Sequence, residues 1–265
     1  MSDLQIVIPS YRRMARQSTL SYLPPSWAER TTLVVDQEDA NRVPLYRSDL
    51  KGARVMVCHP EIKTIAEKRA WIIRHPDFNK IVMFDDDLRF AVRINETDTK
   101  LRQSTHDDLD FYLRMLDSEL DKLVHAGWSA RQGNNNVKHH GYVENTRMMF
   151  VLGYDCATLR DMEAKGQIQL GRVRTREDME LTLQLLKLGY VNSVDFRIAA
   201  DQVSGYAAKG GCSDERTVES SNADAEEFAA LHPGLVRVVE KAYKGSVNRK
   251  EVVVSWKKAF KESQA

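Results

Sequence analysis

The chain has 265 residues, 42% of them hydrophobic and 29% charged, which is enough apolar material for a full-sized core and excludes a chain disordered along its length. Its 39 Lys+Arg stand against 38 Asp+Glu for a formal charge of +1, so no global field draws it onto nucleic acid or a membrane, and any such contact is local. The longest apolar runs are strand-sized, so neither a leader nor a transmembrane helix is expected, and three scattered cysteines, Cys58, Cys156 and Cys212, form no CxxC pair, which suits free thiols in the cytoplasm.

Short apolar runs alternate with amphipathic stretches through the first half, a pattern that predicts an α/β fold with a mainly parallel sheet and helices on both faces. The opening run, residues 4–8, reads as a buried strand that Pro9 ends, and Ser10, Tyr11, Arg12 and Arg13 form the loop after it. A second run, residues 32–35, stops at Asp36, and a third, residues 54–58, stops at His59 and Pro60. Thr64 with Glu67 three residues on has the form of a capping box and predicts a helix over residues 65–74 that carries Lys68 and Arg69. The fourth strand, residues 80–84, runs straight into Asp85, Asp86 and Asp87.

Asp107 or Asp108 is expected to cap a core-packing helix over residues 109–125, with Leu109, Tyr112, Leu113, Leu116, Leu120 and Leu123 on one face. Residues 127–130 and 148–152 read as strands on either side of a polar loop over residues 132–140. Thr175 is placed as N-cap of a second helix that starts at Glu177 and Asp178 and ends at Gly189. A strand over residues 191–198 leads into a Gly-, Ser- and Ala-rich connection over residues 202–221. From Arg237 to Lys261 eight basic residues face two acids, so positive charge collects in the tail.

Three consecutive aspartates at the end of a strand repel one another, and a divalent cation with hard oxygen ligands offsets that repulsion. Asp85 and Asp87, one residue apart, are expected to point the same way, which leaves Asp86 for another partner; an exposed acidic turn is the alternative reading of the same residues. Ile6-Val7-Ile8-Pro9-Ser10-Tyr11-Arg12 at the start, Asp36 after the second strand, Lys68-Arg69 on a helix, Phe84-Asp85-Asp86-Asp87 after the fourth strand and Glu177-Asp178 further on resemble, in that order, the GT-A glycosyltransferases. The resemblance spans roughly residues 4–205. It implies a Rossmann-like sheet, a nucleotide-sugar donor (a UDP-sugar first) and Mn²⁺ or Mg²⁺. By residue, it implies that Pro9, Ser10, Tyr11, Arg12 and Asp36 line the nucleoside pocket. It implies further that Asp85 and Asp87 hold the metal and Asp86 faces the ribose, while Arg12, Arg13, Lys68 and Arg69 are candidates for contacts to phosphate or uracil-like edges. These enzymes often take a further ligand, frequently histidine, from the C-terminal side; no histidine lies between Glu177 and Leu231 here, and Asp201 is the substitute.

The opening segment, Ala66-Glu67-Lys68-Arg69 and Arg176-Glu177-Asp178 further resemble the phage-type glycosyltransferases that accompany TET-like base hydroxylases and glycosylate hydroxymethylated pyrimidines in DNA. That resemblance implies DNA as acceptor and, for a phage-encoded chain, host cytoplasm as the setting. The acceptor hydroxyl must lose a proton as it attacks the anomeric carbon, which makes Asp178 the expected base with Glu177 second. A carboxylate acting directly in this way inverts the anomeric configuration, so inversion is expected. Acids in a helix's first turn also serve the helix dipole, and both roles are compatible.

Residues 1–205 form the expected catalytic domain, and residues 206–265 a lid-like connection and a basic helix or strand extension packed on it. Tyr206, Lys209, Gly210 and Gly211 fall where a lid closes over a donor. Arg12, Arg13, Lys68 and Arg69 are, taken singly, ordinary surface residues by default. His59, His139 and His140 lack metal-ligand spacing; Trp128 reads as core, and Tyr142 beside the polar loop as a stacking candidate. Competing functions are transfer to a glycan or protein, nucleotidyl transfer, which favours a Gly-rich, Lys-containing loop that residues 9–13 lack, and a non-catalytic nucleotide-sugar-binding relative.

Overall fold

The computed structural model describes residues 3–14, 16–95, 100–134, 141–202, 217–241 and 249–264. In chain order, the elements are β1 (Gln5–Pro9), α1 (Ser18–Tyr22), α2 (Pro25–Ala28), β2 (Thr31–Val35), α3 (Gln37–Arg42), β3 (Arg54–Val57), α4 (Ile65–Arg74), β4 (Lys80–Phe84), β5 (Leu88–Arg93), β6 (Leu101–Gln103) and α5 (His106–Leu120). There follow β7 (His125–Ala130), α6 (Arg131–Asn134), β8 (Tyr142–Glu144), β9 (Val151–Asp155), α7 (Cys156–Ala164), α8 (Glu177–Lys187), β10 (Asn192–Gln202), α9 (Val218–Leu231), β11 (Val236–Lys241), β12 (Arg249–Val254) and α10 (Trp256–Ser263).

One large sheet runs β3-β2-β1-β4-β9-β7-β10-β5-β6, with β8 paired to β10. Its β1 to β4 half is parallel; β9 then runs antiparallel between β4 and β7, and β5 runs antiparallel to β10. Alternation along each strand divides the apolar residues between two layers. Ile6, Ile8, Leu33, Val35, Val82 and Phe84 pack with Leu109, Leu113 and Leu116 of α5 and with Trp128. Val7, Val34, Ile81 and Met83 face the other way, against Ile72 and Ile73 of α4, Leu159 of α7 and Leu185 of α8. A third cluster joins Met179, Leu183 and Leu186 of α8 to Phe228, Leu235, Val236 and Ala259, so the C-terminal module is fastened to α8 by apolar burial. No helix among the described residues is long and apolar enough to cross a membrane.

The capping box on α4 forms as expected, with Thr64 Oγ1 accepting from the Glu67 amide at 3.1 Å and Glu67 accepting from the Thr64 amide at 2.9 Å. Several expectations are corrected. The long helix begins at His106, capped by Thr105 with Asp108 reciprocating, and stops at Leu120 because residues 125–130 pair with β9 and β10. The strand expected at residues 148–152 lies at Val151–Asp155, where its pairing with β4 fixes the register. Thr175 does not cap α8: Arg176 holds that position at φ +65°, and Thr175 Oγ1 donates to Asp224 of α9 at 2.9 Å. Gly189 at φ +85° closes α8, its amide bonding Leu186 and the next amide bonding Leu185, a Schellman ending. The connection expected over residues 202–221 has its last residues in α9, and the basic tail is a hairpin followed by a helix. Tyr206, Lys209, Gly210, Gly211, His139, His140 and Cys212 lie outside the described residues.

His125 opens β7 fully buried, its Nε2 3.1 Å from the Tyr190 carbonyl, and burial pushes its pKa down to about 4. The folded state therefore binds fewer protons here than the unfolded chain does. Stability is lost as pH falls from the unfolded value of 6.5 through about 4, roughly 3 kcal/mol in all. Denaturant melts at pH 7 and pH 4.5 are expected to show a smaller acid loss for His125→Gln than for the parent; equal losses contradict this assignment.

Candidate active site

Parallel pairing of β1 with both β2 and β4 brings the carboxyl ends of the three strands side by side, so residues 10–13, Asp36 and Asp85, Asp86 and Asp87 share one edge of the sheet. Two arginines meet the three aspartates there. Arg13 Nη1 donates to Asp86 Oδ1 at 2.7 Å and to Asp87 Oδ2 at 2.8 Å. Arg69 Nη2 donates to Asp85 Oδ1 at 2.5 Å, while its Nη1 donates to Glu177 Oε1 at 2.5 Å. The Arg69 fork thus couples β4 to the first turn of α8, which brings the two acidic motifs of the sequence to one place. Burial opposes the charge on Arg69, but Glu177 and Asp85 outweigh it and hold its pKa above the ordinary range.

Arg69 and Lys68 are buried, contrary to the default for basic residues on an amphipathic helix. Lys68 Nζ donates to the Ser10 carbonyl at 2.7 Å and stands 5.7 Å from the Tyr11 ring centroid, so it fixes the loop after β1. Asp86 is buried as well. Its two oxygens accept from Ser10 Oγ at 2.7 Å and from Arg13, and burial pushes its pKa up to about 6 against the pull of Arg13. It ties the β1 loop to β4.

Asp85 and Asp87 are held by different arginines, and each gives one carboxylate oxygen to its arginine. The other Asp87 oxygen, Oδ1, is buried without a hydrogen-bond partner, and no bond holds Asp85 Oδ2 among the described residues. Burial raises the pKa of Asp85; Arg69 opposes this, and Asp87 and Asp178 add to it. A pair of hard oxygen donors beside further carboxylates is a donor set that suits a small divalent cation. Asp201 sits at the end of β10, opposite Arg89 in β5, and its carboxylate is 2.9 Å from the Arg89 guanidinium. The aspartate group with the closest metal-like spacing among the described residues, Asp3, Asp117 and Asp121, surrounds Lys80 Nζ at 2.6 to 2.7 Å and is an ion-pair cluster.

Pro9 is buried at the end of β1, Tyr11 is half-buried, and Arg12 is exposed at φ +55° with its guanidinium 4.8 Å from the Tyr11 ring centroid. Asp36 caps α3, accepting from the Asp39 amide at 2.8 Å. Sequence reasoning missed Asp39, Gln17 and Thr19. Asp39 is fully buried and takes the Arg12 amide at 2.6 Å, while Gln17 donates to Ser10 Oγ at 2.8 Å. Thr19 Oγ1 donates to the Asp85 carbonyl and accepts from the Leu88 amide at 2.8 Å, which clamps the aspartate turn at both ends. Only the i to i+3 spacing of Asp36 and Asp39 was visible in the sequence; the other two depend on tertiary approach.

Glu177 and Asp178 differ sharply. Glu177 is paired with Arg69, whereas no hydrogen bond or ion pair holds the Asp178 carboxylate among the described residues. Asp178 lines a small pocket with Arg69, Tyr154, Leu152, Gly171 and Glu177. Trp128 is core, Tyr142 stacks on Arg197 at 4.8 Å, and Cys58 and Cys156 are buried free thiols.

Arg69→Lys tests the fork. A lysine reaches one carboxylate at a time and leaves Asp85 or Glu177 without its partner, which costs about 1–3 kcal/mol. A melting temperature lowered by several degrees is expected; an unchanged one contradicts the shared pairing.

A mixed sheet of this order, whose parallel half ends its second and fourth strands in acids, with an acidic pair opening a later helix beside them, defines a GT-A glycosyltransferase. Residues 4–211 match the model of the TET-Associated Glycosyltransferase family, and the chain belongs to that family. It is 27% identical over 242 residues to the Beta-glucosyl-HMC-alpha-glucosyl-transferase of Enterobacteria phage T6, covering 88% of this chain and 83% of that protein. Among solved structures, glucosyl-3-phosphoglycerate synthase from Mycobacterium tuberculosis, in complex with Mn²⁺, uridine-diphosphate and phosphoglyceric acid, is similar at a TM-score of 0.51 and 12% identity. That match covers 95% of this chain and 86% of the other. The S. aureus TarS 1–349 structure matches at a TM-score of 0.47 and 13% identity over 85% of this chain, which spans 65% of that one.

Proposed function

We propose that this glycosyltransferase moves a sugar from a nucleotide-sugar donor, a UDP-sugar first, to a hydroxymethylated pyrimidine in DNA, free or already glucosylated, with a divalent cation, Mn²⁺ or Mg²⁺. The observation that carries the reading is the contrast at the start of α8, where Glu177 is neutralised by Arg69 and Asp178, whose charge is felt by Asp85, is unpaired among the described residues. A base must be free to take a proton, and Asp178 is the acid here that meets the condition. The T6 relative's name, with HMC as the glucosylated unit, supports the acceptor.

Asp85 Oδ2 and Asp87 Oδ1 are the oxygens that hold the cation in this reading. When bound, the cation neutralises charge on the departing nucleoside diphosphate. Tyr11, Arg12 and Asp36 flank the nucleoside, while Lys68, Asp39 and Asp86 set the loop on which Tyr11 and Arg12 stand. Asp178 takes the proton of the acceptor hydroxyl as that oxygen bonds to the anomeric carbon and the bond from this carbon to the nucleoside diphosphate breaks. Calorimetric titration of a panel of nucleotide sugars with and without Mn²⁺ tests the donor side. Binding of one nucleotide class that requires the ion is expected; binding of no nucleotide sugar overturns the reading.

A further inference from the structure

The C-terminal module divides its charge by element. The α9 helix carries Glu219, Asp224, Glu226 and Glu227 and no base, whereas the β11–β12 hairpin and α10 carry Arg237, Lys241, Arg249, Lys250, Lys257, Lys258 and Lys261 against Glu240, Glu251 and Glu262. Cross-strand partners share a face, so Arg237 opposite Val253, Val239 opposite Glu251 and Lys241 opposite Arg249 line one side of the hairpin, three bases to one acid. The other side, with Val236, Val252 and Val254, joins the third apolar cluster. On α10, Ala259 and Phe260 join that cluster, while Lys257 and Lys261, four residues apart, stand together in solvent. Lys250 and Lys258 are paired with Glu226 and Glu262. Arg237, Lys241, Lys257 and Lys261 are exposed, and no ion pair or hydrogen bond holds their side chains among the described residues.

This module is tied to the helix that carries the proposed base. Thr175, just before α8, bonds Asp224 of α9. Glu180, one turn into α8, is 2.5 Å from both His232 at the end of α9 and Arg172, with Glu180 and His232 wholly buried. Gly189, just past α8, lies against Ser263 and Gln264, so the C-terminal ends of α8 and α10 meet.

We propose that Arg237, Lys241, Lys257 and Lys261 form the surface that holds the phosphate backbone of acceptor DNA, on the module fastened to α8, the helix that carries Asp178. The proposal rests on the DNA-acceptor reading above. A near-neutral chain with a few unpaired cations on one rigid module binds a polyanion locally, by releasing counterions, and makes no demand on base sequence.

The test is a fourfold variant, Arg237→Gln with Lys241→Gln, Lys257→Gln and Lys261→Gln, with the fourfold set of Lys→Arg and Arg→Lys exchanges as a charge-preserving control. Binding of plain duplex DNA is measured against salt, and transfer is measured on a hydroxymethylcytosine duplex and on a hydroxymethylcytosine trinucleotide. Each lost phosphate contact lowers the salt slope by about 1, so the glutamine variant is expected to lose roughly 3 to 4 of it, and the control none. The KM for the duplex rises tenfold or more, while kcat on the trinucleotide is unchanged. An unchanged slope and duplex KM overturn the surface. If the parent binds DNA with a slope that the variant loses but transfers no sugar to either acceptor, the surface stands and the acceptor reading falls.

Discussion

Asp178→Asn is expected to bind the nucleotide-sugar donor as the parent does and to turn over at least about a hundredfold more slowly, the range that removal of a general base produces. The substitution keeps the size of the side chain and leaves Arg69 with Glu177 and Asp85, so the ion-pair fork that organises the site is undisturbed. What is lost is the carboxylate that can take a proton. Glu177→Gln is the informative companion, because it removes a partner of Arg69 and is expected to lower stability and donor affinity together. Equal loss of turnover and donor binding in Asp178→Asn contradicts its role as base.

Asp85→Ala is expected to abolish metal-dependent donor binding. The change removes the oxygen proposed for the cation and also strips a partner from buried Arg69, whose guanidinium is left with Glu177 alone. Calorimetry with Mn²⁺ separates the two effects: the parent binds donor far more tightly with the ion than without it, whereas the variant shows one weak affinity in both. A variant that keeps the metal-dependent gain places the cation elsewhere. Folding is checked by the melt, since breaking a buried pair by removing one partner typically costs about 3–5 kcal/mol.

Much of the catalytic half was legible because its signals are local. Apolar runs ended by proline or aspartate marked β1, β2 and β4, and the Thr64 and Glu67 capping box fixed the start of α4 to the residue. What failed was set by tertiary pairing. The register of β9 comes from β4, and Arg176 in the left-handed region displaced Thr175, which bonds another helix. The C-terminal hairpin was hidden because its cross-strand valine pairs lie on sequence that reads as a charged tail. Within the site, the acidic motifs were visible as strings, but their grouping was not. Nothing in the sequence showed that Arg13 bridges Asp86 and Asp87, or that Arg69 joins Asp85 to Glu177, which lies 108 positions from the arginine.

The central claim, sugar transfer to a modified base in DNA, is tested most directly by nucleoside mass analysis of hydroxymethylcytosine DNA after incubation with the enzyme, Mn²⁺ and the nucleotide sugar it binds. Glucosylated hydroxymethylcytosine DNA is the second substrate in the same experiment. A sugar-sized mass gain on the modified nucleoside of either substrate, absent with Asp178→Asn, is the predicted result. Donor binding with no gain on either DNA contradicts the acceptor assignment.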